Sequence, residues 1–515
     1  MQQFLRLINR DPVWMAVFIG LFLSFVNVIT DDLINSDGIL YSEVATIFFD
    51  GNWRGALAHF SWPFYPLLVG AVSKITFLDF EITAQLINAG LLSLLVYMFI
   101  RCSQLMGGDK LVVICAGVLL LTNVTLNGYR DLVIRDHGYW AMFFTALYFF
   151  LKYYQTKLTK HALGFGISIL IAMLFRIEGI VFALLAPLIL LFQNITWRER
   201  ISQSLLTTLP LIAMGIMGLA VIFMFPAVME KVATVTRSEG SLLGPLNYFE
   251  TTFQGIWGGI VEKGKLIEES VLDINARNMG TKSMVAILIM MLVLKTASAA
   301  GYISLVFAAL AGFSKRVRHS MSGLNVLTGF LLINLLILTV VVTSKTFLTP
   351  RYAMTLALLI SLPAAFALAD FFREQASQRS AWRKRGKIFL IVVFSYMFLD
   401  GLISTGASKD YQREAGLWLK NNVPAESRLM SNNAPLYYYS GRIVNRNILK
   451  FFFEETRFAR LPHIDETLNY DYVAIKVSRK QKDFEEKVIA WAGSQPIHRS
   501  ENERGDRVLI FTVKK

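Results

Sequence analysis

The chain has 515 residues, 54% of them hydrophobic and 17% charged, with a mean hydropathy of +0.49. A soluble protein of this length carries more charge, so the composition points to the membrane class. The formal net charge of +14 does not indicate nucleic acid, because Lys and Arg sit mostly in short loops between apolar runs, where lipid headgroups and membrane topology account for them. Cys102 and Cys115 lie beside and inside apolar segments. They build no disulfide framework and lack metal-ligand spacing.

The first apolar run, 13–30, leads into TDDLINSD with no small-residue cleavage site, and reads as a retained span. Further runs follow at 83–100, 111–127, 138–151, 162–175, 179–193, 204–226, 284–311, 323–343, 353–371 and 387–404. Several are shorter than the roughly 20 residues that cross a bilayer core, so they tilt or extend into flanking aromatics. The break at Arg176-Ile177-Glu178-Gly179 leaves open whether 162–193 is two spans or one broken helix. With the N-terminus inside and two spans there, the inner loops collect Arg6, Arg10, Lys315, Arg316, Arg318, Arg373, Arg379, Arg383, Lys384, Arg385 and Lys387 among others. The short outer loops hold Arg54, Lys74, Arg130, Arg135, Arg176, Lys345 and Arg351. A merged helix would turn the later basic loops outward, against the positive-inside rule. The expectation is an α-helical polytopic membrane protein of about eleven transmembrane helices over residues 1–404.

Three outer segments follow from this topology. Residues 31–82 are acidic and aromatic, and Pro63 to Phe77 reads as an interfacial helix. Residues 227–283 form a loop long enough to fold over the membrane face. Residues 405–515 are markedly more polar: NNVPAESRLM, DYVAIKV and RVLIFTV read as strands, EAGLWLKNN and FEEKVIAWAG as helices. That tail is expected to be an extracytoplasmic α/β domain.

Asp31, Asp32, Asp37, Glu43 and Asp50 crowd the mouth of the first span. A carboxylate there can act as general base towards an acceptor hydroxyl, with a pKa raised by apolar surface or a second carboxylate. An outward loop can equally be acidic without catalytic purpose, and the residues alone do not separate the two. His59 and His137 are isolated from carboxylates, so no dedicated metal site is expected. Lys295 lies well inside an apolar run, where charge is expensive, although that run is long enough for it to sit near a helix end.

The series Asp37-x-x-x-Tyr41-x-x-x-Ala45, Gly51-x-Trp53 and Pro63-x-x-Pro66-Leu67 resembles the opening of GT-C glycosyltransferases. These are polytopic enzymes related to protein O-mannosyltransferases and lipid A aminoarabinose transferases. Arg130-Asp131 to Arg135-Asp136, before an aromatic-rich span, is similar to the family's second-loop Arg and Asp. Thr349-Pro350-Arg351-Tyr352 looks like its late Arg-Tyr segment, and the Arg176–Gly179 break is a frequent feature. The matches span residues 13–404, and an outer α/β tail is common among bacterial members. Two positions depart: Gly38 stands where many members have Glu, and Ser61-Trp62 precede the Pro pair in place of Glu or Lys. Metal-ligand or phosphate roles are therefore not carried over to them.

The resemblance implies inverting transfer of a sugar from a polyprenyl-phosphate-linked donor to a hydroxyl of a lipid, glycan or protein acceptor. Asp37 would be the base and Asp136 would orient the acceptor or share that role. Arg351, Arg130 and Arg135 would bind the donor phosphate, and Tyr41, Trp53 and Tyr352 would contact substrate. Competing structural readings are a snorkelling Arg351, loop salt bridges for Arg130, Arg135 and Asp136, a helix-break cap for Arg176 and Glu178, and an interfacial aromatic belt for Tyr41 and Trp53. No cofactor is called for, and a divalent cation stays open. The resemblance also implies a bacterial inner-membrane location, and the Lys/Arg asymmetry of the loops sets the N-terminus in the cytoplasm and the tail on the periplasmic or extracellular side. A lipid-glycan transporter or flippase would need ionisable groups along a transmembrane path. A non-catalytic glycan-assembly protein would use the tail as a binding module.

Overall fold

The computed structural model describes residues 11–30, 33–224, 244–271, 276, 279–373, 381–403, 408–449, 470–480 and 482–513. Asp31, Asp32, Arg6, Arg10, Arg379 and residues 227–243 of the second outer segment lie outside them.

Helix α1 (Pro12–Thr30) starts with Pro at its first position, and the Asp11 carboxylate accepts the Val13 N–H at 2.9 Å. The segment 33–79 folds as α2 (Ser36–Phe49), α3 (Trp53–His59) and α4 (Phe64–Thr76), the last a helix over the stretch Pro63 to Phe77 where one was expected. Next come α5 (Phe80–Leu105), α6 (Lys110–Leu121), capped by Asp109 through the Val112 N–H at 3.0 Å, and the short α7 (Val124–Asn127). The apolar runs on either side of the 176–179 break form α8 (Asp136–Thr156), α9 (Thr159–Phe175) and α10 (Gly179–Ile189). Helix α11 (Trp197–Met224) precedes α12 (Gly244–Ser270), so much of the expected 227–283 loop is helical.

The run 284–311 is not one helix. It divides into α13 (Gly280–Ala300) and α14 (Tyr302–Phe313) at Gly301, whose φ of +77° is a conformation that favours glycine. The carbonyls left open at the end of α13 are taken by side chains: Asn123 donates to Ala299 O at 2.9 Å and Thr125 to Ser298 O at 2.8 Å. Lys295 thus lies in the last two turns of a shorter helix. The membrane portion continues through α15 (Lys315–Ser320), α16 (Leu324–Lys345), α17 (Pro350–Phe372) and α18 (Ala381–Asp400). Among the described residues, α1, α5, α13, α16 and α17 are long and apolar enough to cross a membrane by length and composition, and shorter apolar helices accompany them. With the overall hydropathy, this makes the chain a helical integral membrane protein.

The tail contains α19 (Asp410–Asn422), β1 (Leu429–Ser431), α20 (Ala434–Tyr439), β2 (Tyr472–Val477), α21 (Lys482–Ala492), β3 (His498–Glu501) and β4 (Arg507–Thr512). The sheet order is β1-β2-β4-β3, with β1 and β2 parallel and the other pairs antiparallel. Met430, Val473, Ile475, Leu509 and Phe511 meet Phe484 and Val488 of α21 in a closed apolar core. The short strand β3 and helix α20 were not legible in the sequence.

By contacts the chain forms two compact units: residues 1–23, 90–129 and 135–401, and residues 24–89, 130–134 and 402–515. The first is held by an aromatic cluster of Phe143 and Phe150 (α8), Phe165 (α9), Phe182 (α10) and Phe330 (α16), all fully buried. Ring centroids lie 4.7 Å apart for Phe143–Phe182, 5.0 Å for Phe150–Phe165 and 5.4 Å for Phe150–Phe330. Inside a membrane no water is expelled when helices meet, so close complementary packing carries association. Truncation of the central ring leaves a void its neighbours cannot fill. Phe330→Ala is expected to cost about 3–5 kcal/mol and Phe330→Leu much less, read as the fall in thermal midpoint of the detergent-solubilised protein.

Candidate functional site

In the first unit, four charged side chains converge where α8, α9, α10 and α17 begin or end. Arg176 ends α9 in extended conformation (φ −146°, ψ 131°), and its side chain is 6% exposed. It forms ion pairs with Asp136 in the first turn of α8 and with Glu178 at the cap of α10. The guanidinium also lies over the rings of Tyr352, at 4.6 Å, and Tyr139, at 5.6 Å. Asp136, 1% exposed, has its second carboxylate oxygen 3.6 Å from Nε of Arg351. Arg135 places a further positive charge near both Asp136 and Glu178. Burial alone would raise the Glu178 pKa, but the charge and hydrogen bonds of Arg176 outweigh it and hold the carboxyl below its ordinary range.

Three guanidinium groups thus surround two carboxylates, an excess of one positive charge. Arg351 is more exposed than Arg176, with a quarter of its side chain accessible. The arrangement can hold an anion at Arg351 while Asp136 fixes its direction. Asp136 is occupied by Arg176 and Arg351, a setting that orients guanidinium groups. Tyr352 belongs to the same cluster through Arg176 and Arg351, the latter 5.7 Å from its ring centroid.

Asp37, half-buried in the first turn of α2, belongs to the second unit. Three ties fix this helix and the segment leading into it. The Tyr439 hydroxyl accepts the Ile34 N–H at 3.0 Å and donates to buried Glu81 at 3.3 Å. The Asn35 side chain, instead of capping α2, accepts the Val133 N–H at 2.8 Å. Glu43, six residues after Asp37 and 6% exposed, accepts the Val444 N–H at 2.6 Å and pairs with His59 at 2.8 Å and Arg446 at 3.3 Å. His59 is therefore not isolated, contrary to the sequence expectation; its partner lies 16 residues earlier on a neighbouring helix. Gly38 also gains a reason: a Cβ there would lie 2.8 Å from side-chain atoms of both Ile34 and Val133, leaving no room for the Glu of the family pattern.

The remaining expected residues are dispersed. Arg130 is 2% exposed, donates to the Ser24 hydroxyl at 2.9 Å, and is pushed down to about 10 by burial. Tyr41 is 3% exposed, its ring against Tyr65 and Phe60 at 5.4 and 5.5 Å. Trp53 is exposed, with Arg54 over its ring. The sequence shows Glu43 only as one of the crowded outer carboxylates and gives no sign of Glu81, Tyr439, Arg446 or Arg413, which pairs with Glu81 at 3.5 Å. The available signal was Glu43 itself, a charge inside the apolar stretch ILYSEVATIFF.

No protein-family model and no curated protein matches the sequence. Among solved structures, the archaeal oligosaccharyltransferase AglB from Archaeoglobus fulgidus, in complex with an inhibitory peptide and a dolichol-phosphate, aligns with a TM-score of 0.53 and 12% identity over 94% of this chain and 71% of that one. The arabinofuranosyltransferase AftD from Mycobacteria aligns with a TM-score of 0.50 and 13% identity over 98% of this chain and 42% of that one. The fold is that of the GT-C glycosyltransferases. At a lower TM-score of 0.44, ArnT from Cupriavidus metallidurans in the apo state covers 97% of each chain at 12% identity.

Within this GT-C fold the buried Arg176 is the member whose loss strands two carboxylates. Arg176→Gln is expected to cost about 3–5 kcal/mol, because Asp136 and Glu178 lose the charge that offsets their desolvation. Glu178→Gln, at the partly exposed edge, should cost clearly less. Thermal unfolding of the two variants in the same detergent provides the comparison.

Proposed function

We propose that the chain transfers a sugar from a polyprenyl-phosphate-linked donor to the hydroxyl of an extracytoplasmic acceptor, with inversion at the anomeric carbon. The observation that carries this reading is the carboxylate-braced Arg351 at the start of α17, in a cluster with excess positive charge. The GT-C fold, and the dolichol-phosphate in the complex of its structural neighbour AglB, support a lipid phosphate as the anion.

In the proposed step the acceptor oxygen attacks the anomeric carbon, the bond from that carbon to the phosphate oxygen breaks, and polyprenyl phosphate leaves. Asp37 takes the hydroxyl proton. The charge developing on the departing phosphate is met by Arg351, with Arg135 adding positive potential and Asp136 acting as the positioning residue for Arg351. Asp37 is supported in this role by the ties that hold α2 and the segment leading into it. The reading includes about eleven spans, a cytoplasmic N-terminus in a bacterial inner membrane, and an outer α/β domain over 405–515 that handles the acceptor.

Release of polyprenyl phosphate from a polyprenyl-phosphate sugar by the purified protein tests both roles. Asp37→Asn is expected to lower turnover about 10²- to 10⁴-fold, the range of a general base, while donor binding persists. Near-wild-type turnover would remove Asp37 from the base role. Arg351→Ala is expected to lower turnover about 10²- to 10³-fold. An unchanged enzyme would return Arg351 to an interfacial snorkelling arginine.

A further inference from the structure

A second feature of the first unit lies away from the Arg351 cluster. A cavity of about 630 Å³ opens between α1, α6, α17 and α18, and its walls are apolar apart from Cys115, Thr122 and Ser395. On α6 the lining runs from Leu111 to Thr122, about 16 Å at 1.5 Å per residue. That is close to half of a ~30 Å hydrocarbon core, the reach of an acyl chain through one leaflet.

One end of this groove is basic. Phe372 lines it, and the Phe372 carbonyl accepts a hydrogen bond from Nζ of Lys387 at 2.8 Å. The next residue, Arg373, pairs at 2.7 Å with Asp109, the cap of α6. Lys110 and Lys384 are exposed nearby in sequence, Arg383 donates to the Asp370 carbonyl at 3.4 Å, and Trp382 is 78% exposed at the start of α18. Around this end Lys110, Arg373, Arg383, Lys384 and Lys387, with Arg316 paired to Asp370, outnumber the carboxylates of Asp11, Asp109 and Asp370. An apolar slot between spans that ends in Lys and Arg is the arrangement that takes a lipid with an anionic headgroup.

The donor lipid does not fit this end. Arg351 and Arg373 stand at opposite termini of α17, about 33 Å apart along the helix, which is the thickness of a bilayer core. A phosphate bound at Arg351 and one bound at Arg373 therefore occupy opposite faces of the membrane.

We propose that the groove between α1, α6, α17 and α18 is a binding site for an anionic phospholipid, with an acyl chain along Leu111–Thr122 and the headgroup phosphate at Arg373 and Lys387. The site is separate from the transfer chemistry and holds α18, whose outward side chains Ile388, Phe389 and Val392 are exposed, against the remaining helices.

Native mass spectrometry of the full-length protein tests this with phosphatidylglycerol and phosphatidylcholine of identical acyl chains, and with undecaprenyl phosphate as a third probe. The expected result is phosphatidylglycerol bound at least tenfold more tightly than phosphatidylcholine, with the preference lost in Lys387→Gln and in Arg373→Gln. Ser395→Trp, at an exposed position on the groove wall, should abolish phosphatidylglycerol binding with the basic end intact, and Ile114→Trp provides a second way to fill the slot. Arg351→Ala should leave phosphatidylglycerol binding unchanged, which separates this site from the donor site whether or not the transfer reading holds. Equal binding of the two phospholipids, binding unaffected by both tryptophans, or displacement of phosphatidylglycerol by undecaprenyl phosphate would each overturn the proposal.

Discussion

A guanidinium taken out of water must be given compensating charge, and Arg176 receives two carboxylates. Its place in the chain makes this a constraint on the fold: it ends one helix, Glu178 caps the next, and Asp136 opens a third. The extended backbone at Arg176 breaks the helical run, and the ion pairs recover part of what desolvation costs. Asp136 then has one oxygen left for Arg351, so the direction of Arg351 depends on a buried pair that does not itself face solvent. The rings of Tyr139 and Tyr352 complete the enclosure, contributing less than the carboxylates do.

The second unit secures Asp37 by a different means. No single buried ion pair dominates; a tyrosine hydroxyl, an asparagine side chain and a glutamate each hold one part of α2 or the segment before it. Glu43 is the most heavily used, accepting from a backbone N–H and meeting both His59 and Arg446. Val133 lies in the 130–134 loop and Tyr439, Val444 and Arg446 in the tail, so within this unit the setting of α2 and the segment before it depends on residues nearly a hundred and some four hundred positions away.

Much of the helical framework was legible because apolar runs longer than about a dozen residues leave few alternatives in a membrane. The runs from 13–30 to 387–404 nearly all became helices with ends shifted by a few residues. Two exceptions show the limit: 111–127 breaks at Thr122-Asn123 and 284–311 at Gly301, and an apolar run does not reveal a backbone turn when a polar pair or one glycine with positive φ suffices to make it. The amphipathic pattern of Gly244–Ser270 is more polar than a span, so in sequence that helix does not stand out from a loop.

The candidate site was legible in part. Arg351, Asp136 and Arg135 stand in short motifs at helix ends, and Arg176 and Glu178 flank a break visible in the sequence. The link from Arg176 to Asp136 spans 40 residues, and the link from Glu43 to Val444 spans 401. Such long-range pairings leave no periodic trace in a single sequence. Tyr41 shows the converse, since an aromatic near a carboxylate looks available in sequence while its ring is packed against Tyr65 and Phe60.

The central claim is that the anion held by the carboxylate-braced arginine is a lipid phosphate. An experimental structure of the protein with bound polyprenyl phosphate tests it most directly. The account predicts phosphate density within hydrogen-bonding distance of the Arg351 guanidinium, with Arg176 still engaged by Asp136 and Glu178. Phosphate bound elsewhere, with Arg351 turned to solvent or lipid, would contradict it.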